Sequence, residues 1–183
     1  MITVISGTNR PQSLTGHFAR AAAELLSAQG ETVVPLIDLE TLDPAFYHPL
    51  MYQAAQMHPS LQFIQEQYLL PAEKLVFVCP EYNGSYPGVL KLFIDALSVH
   101  RYSELFKGKE VALIGVSTGR AGNLRGLDQL AEVLVHMGAY LMQNKLPISQ
   151  AAGLLDAAGQ LIDPGTQQTL EQYLGRLRAS KIR

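Results

Sequence analysis

Residues 75–98 read LVFVCPEYNGSYPGVLKLFIDALS, and this stretch decides the fold. Leu75-Val76-Phe77-Val78-Cys79 is a continuous apolar run, the pattern of a strand buried on both faces. Asn83-Gly84-Ser85 and Pro87-Gly88 then supply turn residues. Val89, Leu92, Phe93, Ala96 and Leu97 follow at helical spacing. A strand, a loop of ligand size and a helix thus occur in one piece, the unit that builds a parallel sheet when repeated.

Moving outward, the repetition is found. Residues 1–6 (MITVIS) are β-branched and stopped by Gly7, which predicts a first strand. Leu14, Phe18, Ala21, Ala22, Leu25 and Leu26 mark a helix over 14–28, closed by Gly30. Residues 32–37 predict a second strand containing Pro35, and a proline that cannot donate to a ladder belongs at a sheet edge. Leu61, Ile64 and Tyr68 suggest a helix ending before Pro71. Residues 110–116 predict a fourth strand, Leu124 to Leu134 a helix ending near Gly138, and residues 139–142 a short fifth strand. A last helix carries Leu170, Tyr173, Leu174 and Leu177.

Alternating strands and helices imply right-handed crossovers and a parallel sheet covered on both faces. Five strands fit the order 2-1-3-4-5, in which the proline-bearing second strand is an edge; in the order 3-2-1-4-5 it would be internal. The expectation is a flavodoxin-like α/β three-layer sandwich, a single domain over residues 1–183. The loop over 38–58 has no clean period, and its Tyr47, Met51 and Tyr52 allow three uses: a wall for a substrate, a partner contact or cover for the core.

Composition narrows the function. With 48% hydrophobic and 16% charged residues the chain is globular, and a net charge of −2 offers no general attraction for nucleic acid or anionic lipid. The basic end, Arg176, Arg178, Lys181 and Arg183, is suited to complement a helix C-terminus. The one cysteine, Cys79, excludes a disulfide framework and reads as an inert core thiol. No segment approaches a membrane span, and the expected location is cytoplasmic.

In the order 2-1-3-4-5, ligands bind beyond the C-terminal ends of the strands, beside the switch between strands one and three. Three loops end there. The first, GTNRPQSLT over 7–15, combines a helix N-terminus with the hydroxyls of Thr8, Ser13 and Thr15 and the guanidinium of Arg10, which suits a phosphate. Ser13 reads equally well as a plain helix cap. The pattern is neither GxxxxGK[ST] nor GxGxxG, so it supports neither an ATP-type loop nor a Rossmann fingerprint. In the second, Pro80, Glu81, Tyr82, Asn83, Gly84 and Ser85 offer backbone amides and an aromatic ring to a flat heterocycle. In the third, STGRAGNL over 117–124, glycines permit close approach to a ligand.

At these loops the chain resembles the NADPH-dependent FMN reductase family, which includes azoreductase-like and chromate reductase-like quinone reductases. GTNRPQS, PEYNGSYPGVLKLFIDALS and STGRAG carry the resemblance, which extends over most of residues 1–144. It implies FMN as cofactor, with its phosphate among Thr8, Arg10, Ser13 and Thr15. The isoalloxazine would then run along Pro80, Glu81, Tyr82, Asn83, Gly84 and Ser85, with Ser117, Gly119, Arg120 and Gly122 closing the other edge. Thr8 stands where the family often has serine, and Leu92 where it often has asparagine in an L-K-N-x-x-D run. The resemblance also implies NADPH or NADH as co-substrate, a small-molecule electron acceptor, and a homodimer or homotetramer with the helix after residue 87 near the subunit contact; a single open flavin face used in turn by the two substrates predicts ping-pong kinetics.

No general acid or base is demanded of such a protein, because the flavin carries the chemistry. The five histidines form no motif, and no GxSxG elbow points to a hydrolase. A flavodoxin-type electron carrier is the alternative, although it calls for a strongly charged docking face. A scaffold with a degenerate site would be expected to have lost the polar residues these loops keep.

Overall fold

The computed structural model describes residues 1–181. Arg183, one of the basic terminal residues, lies outside them. Helices separate the strands except between the last two, giving six parallel strands: β1 (Ile2–Ser6), β2 (Leu36–Asp38), β3 (Lys74–Pro80), β4 (Glu110–Val116), β5 (Tyr140–Leu141) and β6 (Leu146–Ile148). The helices are α1 (Leu14–Ala28), α2 (Pro59–Ile64), α3 (Gly88–Leu97), α4 (Tyr102–Leu105), α5 (Leu124–His136) and α6 (Pro164–Ala179). The sheet order is β2-β1-β3-β4-β5, with β6 also bonded to β4, which is the flavodoxin-like arrangement.

Strand alternation sorts the core into two layers. Leu75, Phe77 and Cys79 of β3, with Val111 and Leu113 of β4, pack against α3 and α5. Val76 and Val78, with Ala112, Ile114 and Val116, pack against α1 and α6. Because β3 and β4 are apolar on both faces they take the centre of the sheet, as the run at 75–79 requires. Among the described residues no helix is long and apolar enough to cross a membrane.

Three details differ from the sequence reading. β2 begins after Pro35 instead of including it, and Thr32 and Val33 are exposed. The proline contributes only its carbonyl, which accepts from Val4 N at 2.9 Å, so the edge position stands while the strand is shorter. The helix before β3 starts as α2 and loosens into a π turn over Gln65–Leu69. The Gln65 amide donates to Leu97 O and His100 O, closing the end of α3. Finally, the fifth strand is broken. β5 pairs with Glu110 and Val111, β6 pairs with Ile114 to Val116, and Leu113 lies in the gap.

The buried hydroxyl of Tyr173 on α6 fills that gap, meeting Leu113 N (3.1 Å), Leu113 O (3.2 Å) and Asn144 O (2.9 Å). A side chain thus replaces one missing rung of the ladder. Burial pushes the Tyr173 phenol up to about 12, against the opposing hydrogen bond from the Leu113 backbone. In the loop over 38–58, Leu39, Phe46 and Met51 are buried against the α3 side, whereas Tyr47 and Tyr52 are 63% and 60% exposed. Cover for the core accounts for the first group alone.

Candidate functional site

A cleft of about 420 Å³ opens where β1, β3 and β4 end, beside the switch between β1 and β3. Its size is within the range of small-molecule sites. Thr8, Arg10, Pro11, Gln12, Ser13, Leu14 and Thr15 line it from the first loop. Pro80, Glu81 and Tyr82 line it from the second, and Val116, Ser117 and Thr118 from the third. A roomier hollow of about 700 Å³ lies near Met1, Lys109 and Ser180. That is the edge where strands begin, the wrong end for the ligand of such a sheet.

The first loop is a donor surface. Ser13 is extended (φ −72°, ψ 145°) and its Oγ accepts from Gly16 N at 2.9 Å, so the serine is the cap of α1. His17 N reaches Ser13 O, while the N–H groups of Leu14 and Thr15 have no hydrogen-bond partner among the described residues. Thr8 and Thr15 are buried at 1% and 2% exposure, and the exposed Arg10 stands at the mouth. Thr8 Oγ1 accepts from Arg10 N (3.2 Å) and shares a hydrogen bond with the Tyr82 hydroxyl (2.8 Å), which ties the first loop to the second. Uncommitted amides at the positive end of a helix dipole, hydroxyls and a guanidinium make one chemistry here, that of an anion site.

The second loop divides into wall and turn. Pro80 ends β3, and Glu81 N donates to Val116 O at 3.2 Å, joining the second and third loops. Asn83 (φ 53°) and Gly84 (φ 77°) form the two left-handed positions of a type I′ turn, with Tyr82 and Ser85 exchanging backbone bonds of 2.9 and 3.1 Å. Glu81 Oε1 accepts from Gly84 N at 2.7 Å, and the Ser85 hydroxyl bonds Gln129 of α5. Asn83, Gly84 and Ser85 therefore shape the turn and do not line the cleft.

The third loop is committed to itself. Ser117 Oγ donates to Gly119 O (3.1 Å) and accepts from Gly122 N (3.0 Å). The end of β6 and the segment after it close it from outside: Ser117 N donates to Ile148 O, Gln150 N to Gly119 O, and Ser149 Oγ to Arg120 O. Gly119, Arg120 and Gly122 consequently lie outside the cleft lining. Thr118 and Val116 hold the cleft-facing positions instead. The reading from sequence missed these two, along with Pro11, Gln12 and Leu14. Each adjoins a residue it had chosen, and adjacency was the available signal. Below the second loop, burial pushes the Cys79 thiol up, with a smaller opposing effect from an Asn123 hydrogen bond. A neutral thiol at 0% exposure is inert.

The family described as NADPH-dependent FMN reductase matches residues 1–153. An NAD(P)H-dependent FMN reductase of Pseudomonas aeruginosa is 36% identical over 121 residues, which are 66% of this chain and 64% of that protein. A 2-hydroxy-1,4-benzoquinone reductase of a Burkholderia species is 29% identical over 97% of this chain and 94% of its own length. Among solved structures, the flavoenzyme NAD(P)H:(acceptor) oxidoreductase FerB of Paracoccus denitrificans superposes with a TM-score of 0.79 at 25% identity, covering 96% of this chain and 93% of that one. Together with the sheet order and the donor-lined cleft at the switch point, the match over residues 1–153 carries the conclusion: this chain belongs to the NADPH-dependent FMN reductase family.

Proposed function

We propose that the cleft binds FMN and that the protein passes hydride from NAD(P)H through it to a small acceptor by a ping-pong mechanism. The observation that carries this reading is the N-terminus of α1. Its Leu14 and Thr15 amides are uncommitted, and Thr8, Thr15 and Arg10 surround them. That donor set fits a phosphate monoester. When bound, FMN supplies the two-electron chemistry between NAD(P)H and a quinone, azo compound, metal oxyanion or free flavin.

The residues of the chain bind and orient. Arg10, Thr8, Ser13 and Thr15 hold the phosphate end, Ser13 by keeping the helix start in register. Pro80, Glu81 and Tyr82 form the wall for the ring, with the turn of Asn83, Gly84 and Ser85 holding that wall in shape. Ser117 faces it from the third loop; Gly119, Arg120 and Gly122 act as that loop's frame. No side chain is required to transfer a proton as a general acid or base. The curated relatives named for quinone reduction favour a quinone among the acceptors. A cytoplasmic homodimer or homotetramer is the expected form, with α3 near the subunit contact.

Titration with FMN should quench flavin fluorescence, and the loaded protein should oxidise NAD(P)H when a quinone is present. A protein that leaves FMN fluorescence unchanged would sink the reading. Flavin binding without NAD(P)H oxidation would return the chain to the electron-carrier class.

A further inference from the structure

Asn123 stands between the second and third loops, and neither its burial nor its backbone follows from its place ahead of a helix. It is 1% exposed and left-handed (φ 60°), a conformation that asparagine tolerates and most residues avoid. Its side chain does not cap α5. Instead Nδ2 reaches across to the end of β3, donating to Pro80 O at 2.7 Å and Cys79 O at 3.2 Å. Oδ1 is buried without a hydrogen-bond partner, so the amide is held through its nitrogen alone. The fit is close: a Cβ on Gly126 would lie 2.2 Å from that oxygen and 2.7 Å from the carbonyl carbon of Ser85.

Pro80, Glu81 and Tyr82 form one wall of the cleft, and Ser117 and Thr118 face them from the loop that ends at Asn123. Two carbonyls at the root of the first wall are thus tied to the end of the opposite loop by one buried amide. We infer that Asn123 is a positioning residue, setting the spacing of the ring-side walls through its amide bonds to Cys79 O and Pro80 O. The inference rests on the reading of the cleft as a flavin site and names which residue tunes it. A positioning role on the ring side acts on FMN and riboflavin equally, because the two share the ring and differ at the phosphate.

Asn123→Gly accepts the left-handed backbone and removes only the amide. Its dissociation constants for FMN and for riboflavin, measured on the folded protein, should both rise about tenfold, the equivalent of losing one to two hydrogen bonds. The visible circular dichroism of the bound flavin should change with them. Asn123→Asp, which sets a carboxylate oxygen against two carbonyl oxygens, should exceed that loss. Asn123→Asp keeps the shape of the side chain and decides the matter if Asn123→Gly does not yield folded protein. A substitution at Gly126 does not serve, because a Cβ there would press on the Ser85 and Tyr86 backbone as well as on the amide. A lower melting temperature with both affinities and the flavin spectrum at wild-type values overturns the inference. Failure of the unsubstituted protein to bind either flavin overturns the functional reading itself.

Discussion

The loops after β1 and β4 are alike in sequence and opposite in use. GTNRPQS over 7–13 and STGRAGN over 117–123 each join a parallel strand to a helix, and each carries hydroxyls, glycine and one arginine. In the first, the Leu14 and Thr15 amides remain available, and Thr8, Thr15 and Arg10 face the cleft. In the third, Ser117 is spent on Gly119 and Gly122, Ser149 takes the Arg120 carbonyl, and Asn123 turns back to β3. The difference teaches that loop composition indicates what a loop can donate, while neighbouring chain decides how much is left to give. Here the neighbour is β6 and the residues after it, which only the third loop meets.

The largest expected effect tests what keeps that neighbour in place. Tyr173→Phe leaves Leu113 N and Asn144 O without their hydroxyl, which should cost about 1–3 kcal/mol of unfolding free energy in a urea titration. The folded phenol ionises at about 12 against a reference of 10.0, so the unfolded chain loses its proton first. This stabilisation is complete below the reference value and is lost as pH rises towards the folded one. Tyr173→Phe should flatten that alkaline loss, and an unaltered slope would remove Tyr173 as its source.

Next in size is Arg10→Ala. Loss of a charge-assisted bond should weaken FMN about tenfold or more while leaving riboflavin within about twofold, by fluorescence titration. Equal losses for the two ligands would show that the first loop is not the phosphate side. Ser117→Ala should cost about 1 kcal/mol of stability by stranding Gly122 N, with FMN and riboflavin affected alike. The smallest effect sharpens the contrast between loops: Arg120→Ala, outside the cleft, should change FMN affinity by less than about threefold. A loss matching that of Arg10→Ala would erase the distinction.

Legibility followed the range of the interactions involved. The strand at 75–79, the helix over 14–28 and the edge position beside Pro35 were readable because each depends on burial or backbone chemistry coded within a few residues. The gathering of Thr8, Arg10, Ser13 and Thr15 at the start of α1 was readable for the same reason, and so was the reading of Ser13 as a helix cap, which its bond from Gly16 N bears out. The turn at Asn83-Gly84 was readable as a turn, yet whether its residues faced the cleft depended on the direction of a two-residue hairpin.

By itself, then, the sequence determined a doubly wound sheet, the edge at which its cleft opens and the hydroxyls and arginine gathered at the start of α1, since periodicity, proline and helix-terminal chemistry are local properties. Tertiary structure alone decided the broken fifth strand, the Tyr173 hydroxyl that fills its gap, the closure of the loop at 117–123 and the reach of Asn123 to Pro80. Those contacts join residues 29 to 60 apart in the chain, and which buried polar group meets which is settled only when the layers pack.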